Sequence, residues 1–260
     1  MENADQASKS ELLIISKLFL SFGGIQALTD VSFEVRHREI LGIIGPNGAG
    51  KTCLLNCING FYRPEKGEIY FGKKQIARMR PDRIVRLGII RTFQHGELFR
   101  ELSTLDNLLM ARHIYAKCGM LGAALYLKWG KKDEIEHRSA VDQVIGFLKL
   151  GAVRNQIVGS LPYGMQKKVG LARALVMRPK LLLLDEPMAG MTAEEKEEMM
   201  RCILEINKVG VTIILIEHDI GVIMNLVDKL MVLDFGQRIA DGPPEDVAND
   251  PQVIQVYLGK

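Results

Sequence analysis

The chain has 260 residues, 47% of them apolar and 25% charged, the balance of an ordinary globular protein large enough to bury a substantial core. A formal net charge of +3 is too small to argue for nucleic acid or an acidic lipid surface, and no nucleic-acid partner is expected. No apolar run reaches the roughly 18 residues of a spanning helix, and the polar opening MENADQASKSELL has no long apolar core, so neither a membrane span nor a secretory signal is expected. Residues 1–11 read as a flexible leader. Cys53, Cys57, Cys118 and Cys202 are scattered, which points to reduced thiols. Cys53 and Cys57 read as small core residues, since no further Cys or His completes a metal set.

In chain order, Leu12 to Leu18 reads as a strand, Ser21-Phe22-Gly23-Gly24 as a turn, and Ala27 to Val35 as a half-exposed antiparallel strand with Val31, Phe33 and Val35 on one face. Phe22 is either a core anchor beside the glycines or an exposed aromatic on which an adenine ring stacks. The apolar run Ile40 to Ile44 then leads into Gly45-Pro46-Asn47-Gly48-Ala49-Gly50-Lys51-Thr52. This strand, glycine-rich turn and helix start match the G-x-x-x-x-G-K-T pattern, whose backbone N–H groups and helix N-terminus cradle phosphates. Lys51 is placed to reach the β- and γ-phosphates of a nucleoside triphosphate, and the Thr52 hydroxyl to ligate magnesium.

A polar turn at Arg63 to Gly67 introduces a short strand, Glu68 to Phe71, and Pro81 opens a helix through Leu87. The apolar run Gly88 to Phe93 ends at Gln94, an amide that is either simply at the surface or positioned to reach a metal or water at a phosphate. From His95 to Ser160 helical periodicity takes over, over Leu105 to Tyr115, Leu121 to Trp129 and Ile135 to Leu150, with a capping signal at Ser103-Thr104-Leu105-Asp106. This stretch reads as a helical subdomain inserted into an α/β core.

The core resumes at Leu181 to Leu184, followed by Asp185 and Glu186, as expected of a strand buried on both faces whose carboxylates emerge at its C-terminal end. Asp185 is placed to hold magnesium, directly or through water, and Glu186 to accept a proton from an attacking water. Thr192 and Glu195 form a capping box for a charged helix reaching Val209. Val211 to Ile216 is another apolar strand, ending at Glu217-His218-Asp219, where His218 is either structural or a sensor of a terminal phosphate. Asp228 to Leu233 and Gln237 to Ala240 read as a hairpin about Phe235-Gly236, before a short helical tail.

This ordered set resembles the ATP-binding subunit of ABC transporters across nearly the whole chain. It comprises the P-loop, Gln94, a helical insert, Leu161-Pro162-Tyr163-Gly164-Met165-Gln166, Asp185-Glu186 and His218. Within that family it is most similar to the larger of the two ATPase subunits of branched-chain amino acid importers. Ser21-Phe22-Gly23-Gly24-Ile25, Arg91-Thr92-Phe93-Gln94, Tyr163-Gly164-Met165-Gln166, Ala189-Gly190-Met191, Ile216-Glu217-His218-Asp219 and the ending Val256-Tyr257-Leu258-Gly259 carry that likeness.

The resemblance implies an α/β P-loop NTPase core with an antiparallel β subdomain, formed by 12–94 and 161–260 with the C-terminal tail. The helical subdomain would be 95–160, with the signature segment 161–166 packed at its end. It implies ATP and Mg2+ as ligands and hydrolysis of ATP to ADP and phosphate. Gln94 would contact magnesium and couple to the membrane partner, His218 would meet the γ-phosphate, and Phe22 would stack on adenine. The implied partners are a second ATPase subunit, copy or paralogue, in a head-to-tail dimer, two transmembrane permease subunits, and indirectly a solute-binding protein. The implied location is peripheral, on the cytoplasmic face of the plasma (inner) membrane.

Two departures from the family pattern stand out. Pro162 and Tyr163 replace the usual Ser-Gly of the signature and Met165 its Gln, so a contact to the opposite subunit's ATP must come from backbone groups near Tyr163-Gly164 and the helix that follows. Thr192 replaces the usual D-loop aspartate. Import of urea or short amides and export of lipopolysaccharide are alternative cargoes. A non-transport ABC protein would carry two cassettes or a long coiled coil, and an ATP-dependent regulatory module would not need Asp185, Glu186 and His218 together.

Overall fold

Apolar runs without alternation fold as strands buried on both faces, and alternating runs as strands with one wet face. The computed structural model describes residues 11–92, 98–115 and 128–258. Its strands are β1 (Glu11–Phe22), β2 (Ile25–Arg36), β3 (Ile40–Ile44), β4 (Lys66–Phe71), β5 (Lys74–Gln75), β6 (Ile89–Thr92), β7 (Leu181–Asp185), β8 (Thr212–Ile216), β9 (Lys229–Asp234) and β10 (Gln237–Gly242). Its α-helices are α1 (Lys51–Ile58), α2 (Pro81–Leu87), α3 (Thr104–Arg112), α4 (Lys128–Phe147), α5 (Tyr163–Leu175), α6 (Ala193–Lys208), α7 (Ile220–Met224), α8 (Pro244–Ala248) and α9 (Pro251–Leu258). Gln94, most of the helix expected over Leu121 to Trp129, and residues 1–10 lie outside the described residues.

The first compact unit takes in residues 11–91, 180–189 and 200–258 of those described and holds both sheets. One has the order β10-β9-β3-β8-β7-β6; the other, four-stranded, has the order β2-β1-β4-β5. Strands β3, β7 and β8 are buried along their whole length, and β3 runs parallel to both β8 and β9 while β7 runs parallel to β8. Register aligns their ends: Ile43 faces Ile216, and Ile216 faces Asp185. Gly45, Glu217 and Glu186 therefore leave the sheet on one edge, the carboxyl edge where open α/β sheets bind ligands.

The smaller sheet is antiparallel, as the alternation of β2 requires, with Val31, Phe33 and Val35 buried on the expected face. Its first hairpin is longer than the sequence suggests. Ser21 pairs with Gln26 and Phe22 with Ile25, so both residues of the expected turn that precede the glycines belong to β1. The side chains of Leu13, Ile15, Leu18 and Ile69 share one core with Leu54, Leu55 and Ile58 of α1 and with Leu181 and Leu183 of β7.

The second compact unit takes in residues 92–179 and 190–199. The Ser103 hydroxyl caps α3 by accepting from the Asp106 N–H at 3.1 Å, and the His113–Tyr115 turn continues that helix as 3₁₀. Asn107, fully buried, ties the helix to the preceding loop by accepting from the Phe99 N–H and donating to the Phe99 and Ser103 carbonyls. The buried Arg112 guanidinium donates to the Val176 carbonyl at 3.0 Å and to His137 Nδ1 at 3.1 Å, joining α3, α4 and the end of α5. No helix among the described residues is long and apolar enough to cross a membrane.

Candidate functional site

The loop from Gly45 to Gly50 packs closely against the backbone of two strands, β9 and β2. A methyl group on Gly45 would lie 2.0 Å from the Leu233 carbonyl oxygen, and one on Gly50 would lie 2.5 Å from the Ala27 carbonyl oxygen. Gly50 also has φ +97° at the N-cap of α1, a conformation that a side chain would strain. Pro46, Asn47 and Gly48 form the outer curve, Ala49 is buried beneath it, and the Ala49 N–H returns to the Pro46 carbonyl at 3.2 Å. The first turn of α1, with Lys51 and Thr52, has N–H groups without intrahelical partners and carries the helix's positive end, a combination that attracts an anion.

Lys51 is buried, and its Nζ donates to the Gly45 and Pro46 carbonyls at 2.7 and 2.9 Å. An ammonium has three donors, so this arrangement holds the charge inside the loop with one donor left for a ligand. Burial lowers the Lys51 pKa, opposed by the negative charges of Glu186 and Asp185. Thr52 is exposed at the same turn.

Across the sheet edge, the Glu186 N–H continues the strand ladder to the Ile216 carbonyl at 2.9 Å, and Glu186 adopts a left-handed conformation with φ +47°. Such a backbone costs a non-glycine residue about 1–2 kcal/mol. It sits at the turn where the carboxylate meets His218, with Oε1 2.7 Å from Nε2. The Glu186 side chain is 22% exposed and that of His218 is 44% exposed, so the pair is reachable from solvent while anchored on two parallel strands. Glu217, between β8 and His218, is buried and accepts from the Met188 N–H at 2.8 Å and from the His218 N–H at 3.3 Å. Burial raises its pKa, and the two N–H groups partly offset that rise. Glu217 thus fastens the segment after Glu186 to the segment carrying His218.

Asp185 is buried at the end of β7. Its Oδ2 accepts from Arg91 Nη2 at 2.6 Å, and its Oδ1 has no hydrogen-bond partner. An unpaired buried carboxylate oxygen is costly unless something coordinates it. Magnesium takes one or two carboxylates, hydroxyls and substrate phosphates rather than an all-protein cage. Asp185 Oδ1 and the Thr52 hydroxyl are therefore a donor set that suits magnesium held against a nucleotide. Among the described residues no group of three or more His, Cys, Asp and Glu forms a self-contained metal site. Cys57 is a core side chain, its thiol pushed up to about 12 by burial.

Phe22 stands 46% exposed at the end of β1, its ring edge-on to Tyr62 with centroids 5.0 Å apart. It is braced by one aromatic and open to another, rather than enclosed as a core anchor. In the second unit, Pro162 N-caps α5 without a side-chain bond, Tyr163 is 46% exposed with the Lys167 ammonium 5.5 Å from its ring centre, and Gly164 is buried. A methyl on Gly164 would meet Glu195 Oε1 at 2.4 Å. Glu195 in turn completes the expected capping box, accepting from the Thr192 N–H at 3.0 Å while its own N–H donates to Thr192 Oγ1 at 3.3 Å. The Gln166 amide donates to the Leu161 carbonyl at 2.8 Å, closing the segment on itself.

Sequence reasoning passed over Arg91, Asn56 and Glu217. A lone arginine inside the apolar run Gly88 to Phe93 was the available signal, because a charge in a strand needs a partner. Asn56, one helical turn beyond Thr52, and Glu217, beside His218, carry no comparable mark.

A family model described as ABC transporter matches residues 28–189, and one described as Branched-chain amino acid ATP-binding cassette transporter matches residues 237–260. The chain is 39% identical over 253 residues to the high-affinity branched-chain amino acid transport ATP-binding protein LivG of Salmonella typhimurium, covering 96% of this chain and 98% of that protein. It is 35% identical over 254 residues to the probable branched-chain amino acid transport ATP-binding protein LivG of Methanocaldococcus jannaschii, again covering 96% and 98%. Among solved structures, a nucleotide-free ATP-binding cassette from an ABC transporter superimposes with a TM-score of 0.85 at 34% identity, covering 96% of this chain and 100% of that one. The ADP conformation of such a cassette gives a TM-score of 0.84 at 34% identity over the same shares.

Proposed function

The chain belongs to the ABC transporter ATP-binding family, in its branched-chain amino acid division, and from that premise we propose that Glu186 and His218 drive ATP hydrolysis for uptake of branched-chain amino acids. The reaction is ATP + H2O → ADP + phosphate. The observation that carries the assignment of the reacting residues is the 2.7 Å contact between Glu186 Oε1 and His218 Nε2 at the ends of two parallel strands.

In this reading the loop N–H groups, the start of α1 and Lys51 hold the β- and γ-phosphates and offset the charge that builds on the transferring phosphoryl group. The Thr52 hydroxyl and Asp185 would hold magnesium, which would supply further neutralisation of phosphate charge. Glu186 orients the attacking water and takes its proton. His218 fixes the Glu186 carboxylate by their shared hydrogen bond and, as the γ-phosphate enters, offers that phosphate a donor. Phe22 stacks on the adenine ring, and Gln94 would be a further ligand for magnesium.

The partners follow from the same reading. A second ATPase subunit presents its own Tyr163-Gly164 segment to the γ-phosphate, and the exposed Tyr163 and the first-turn N–H groups of α5 are what such a segment offers. Two permease subunits receive the closure, and a solute-binding protein delivers the cargo. The chain works peripherally at the cytoplasmic face of the membrane. The match of residues 237–260 to the branched-chain amino acid model supports this cargo over urea, short amides or lipopolysaccharide.

Glu186→Gln tests the assignment. It removes the base and keeps the size of the side chain and one acceptor oxygen. Turnover by the assembled transporter should fall by about 10²–10⁴, the usual worth of a positioned base, with ATP affinity maintained in calorimetry. Undiminished phosphate release from the variant would overturn the role of Glu186.

A further inference from the structure

The charge that faces Asp185 is not one that the nucleotide reading uses. Arg91 leaves the end of β6, the neighbour of β7, with its side chain only 5% exposed, and meets an Asp185 side chain that is 2% exposed. One arm of the guanidinium, Nη2, donates to Asp185 Oδ2 at 2.6 Å. Another, Nη1, donates to Asn56 Oδ1 on α1. Asn56 follows Thr52 by four residues, so both stand on one face of that helix.

A single planar cation therefore bridges the strand that carries Asp185 and the helix that carries Thr52. The carboxylate is turned by this contact: Oδ2 is committed to arginine and Oδ1 is left without a partner. An arginine suits the task because its donors lie in a rigid plane and its charge persists when buried, whereas a lysine would give a point charge without a fixed fork. The buried pair also has a cost that packing alone would avoid, since apolar residues of similar size often serve stability as well or better.

We propose that Arg91 is a positioning residue for the metal–nucleotide site: it sets the orientation of Asp185 and its spacing from Thr52, so that Oδ1 and the Thr52 hydroxyl meet one magnesium ion together. Partners that orient a metal ligand are typically worth about 10–100-fold in metal affinity. The positive charge of Arg91 opposes a bare cation, but the arriving metal–nucleotide complex is anionic as a whole, so orientation outweighs repulsion. The inference rests on the magnesium reading of Asp185 and Thr52.

The test compares AMP-PNP affinity in magnesium with that in EDTA, by calorimetry on the full chain. The ratio isolates the metal's contribution and is not moved by a loss of stability that weakens both affinities alike. In Arg91→Met the ratio should fall about tenfold or more, with EDTA affinity little changed. Arg91→Lys should lose an intermediate amount, and Asn56→Ala, which keeps the Arg91–Asp185 pair, a few-fold. If Arg91→Met does not fold, the same ratio in Arg91→Lys and Asn56→Ala decides. A ratio equal to or above that of the unsubstituted chain overturns the role of Arg91. An unsubstituted chain that binds AMP-PNP equally in magnesium and in EDTA overturns the metal reading itself.

Discussion

The strand-end residues of the first unit and residues 161–166 of the second hold their side chains by opposite means. At the strand ends nearly every functional side chain is held by a second element: Lys51 by the carbonyls of its own loop, Asp185 by Arg91, Glu186 by His218, and Glu217 by two backbone N–H groups. Residues 161–166 instead offer an exposed tyrosine and a helix N-terminus whose cap, Pro162, has no hydroxyl. The bond from Gln166 to the Leu161 carbonyl holds the segment's own shape, and the Thr192–Glu195 box lies against Gly164 from outside it. Of the side chains at the strand ends, Lys51, Asp185 and Glu217 are buried, where each charge needs a partner, while Glu186 and His218 stay open to solvent. In the proposed dimer, a segment that presents backbone and one aromatic would not depend on the hydroxyl of the usual serine.

This contrast can be broken at both ends. The largest effect on nucleotide affinity is expected for Lys51→Ala, which removes the buried cation from the loop. ATP affinity should fall roughly a hundredfold, consistent with about 1.5–3 kcal/mol for a hydrogen bond to a charged group; unchanged binding in calorimetry would remove Lys51 from the phosphate site. Phe22→Ala should weaken ATP binding by about 1–2 kcal/mol, the scale of one base stacked on an aromatic ring. Its thermal midpoint should hardly move, because the ring is half exposed. A large drop in stability with intact affinity would return Phe22 to the role of core anchor.

Tyr163→Ala should be the mildest for the isolated chain. Stability should stay within about 0.5 kcal/mol, as for other surface positions, and ATP binding should not change. Hydrolysis by the assembled transporter should nevertheless drop if a second subunit's Tyr163 reaches the phosphate as proposed. Turnover equal to that of the unsubstituted assembly would show that backbone alone serves, and would sharpen the contrast rather than blur it.

Much of this was legible along the chain. The G-x-x-x-x-G-K-T spacing identified the phosphate loop because a tight anion cradle needs particular residues at consecutive positions. Unbroken apolar runs ending in Asp185-Glu186 and in Glu217-His218 marked buried parallel strands, since only a strand covered on both faces lacks polar alternation. The capping signals at Ser103 and Thr192 depend on three-residue spacing and were equally readable. Phe22 was not decided by its neighbours in sequence: its exposure follows from the hairpin pairing of Phe22 with Ile25 and from Tyr62, forty residues on, as the edge-on brace.

Local pattern thus determined the glycine-rich loop, the order of the main strands and the residue types at the strand ends, because each depends on contacts within a few residues; the short strand Lys74–Gln75 and the helix Ile220–Met224 carry no such mark. Only the tertiary structure decided how charges are shared among them. Asp185 and Arg91 are separated by 94 positions, and Glu186 and His218 by 32. Adjacent strands of the sheet bring each pair together, and which oxygen of Asp185 is left unpaired depends on a guanidinium that also reaches Asn56 on the helix after the loop. No spacing rule encodes that bond, because it is created by strand order and by the burial of both charges.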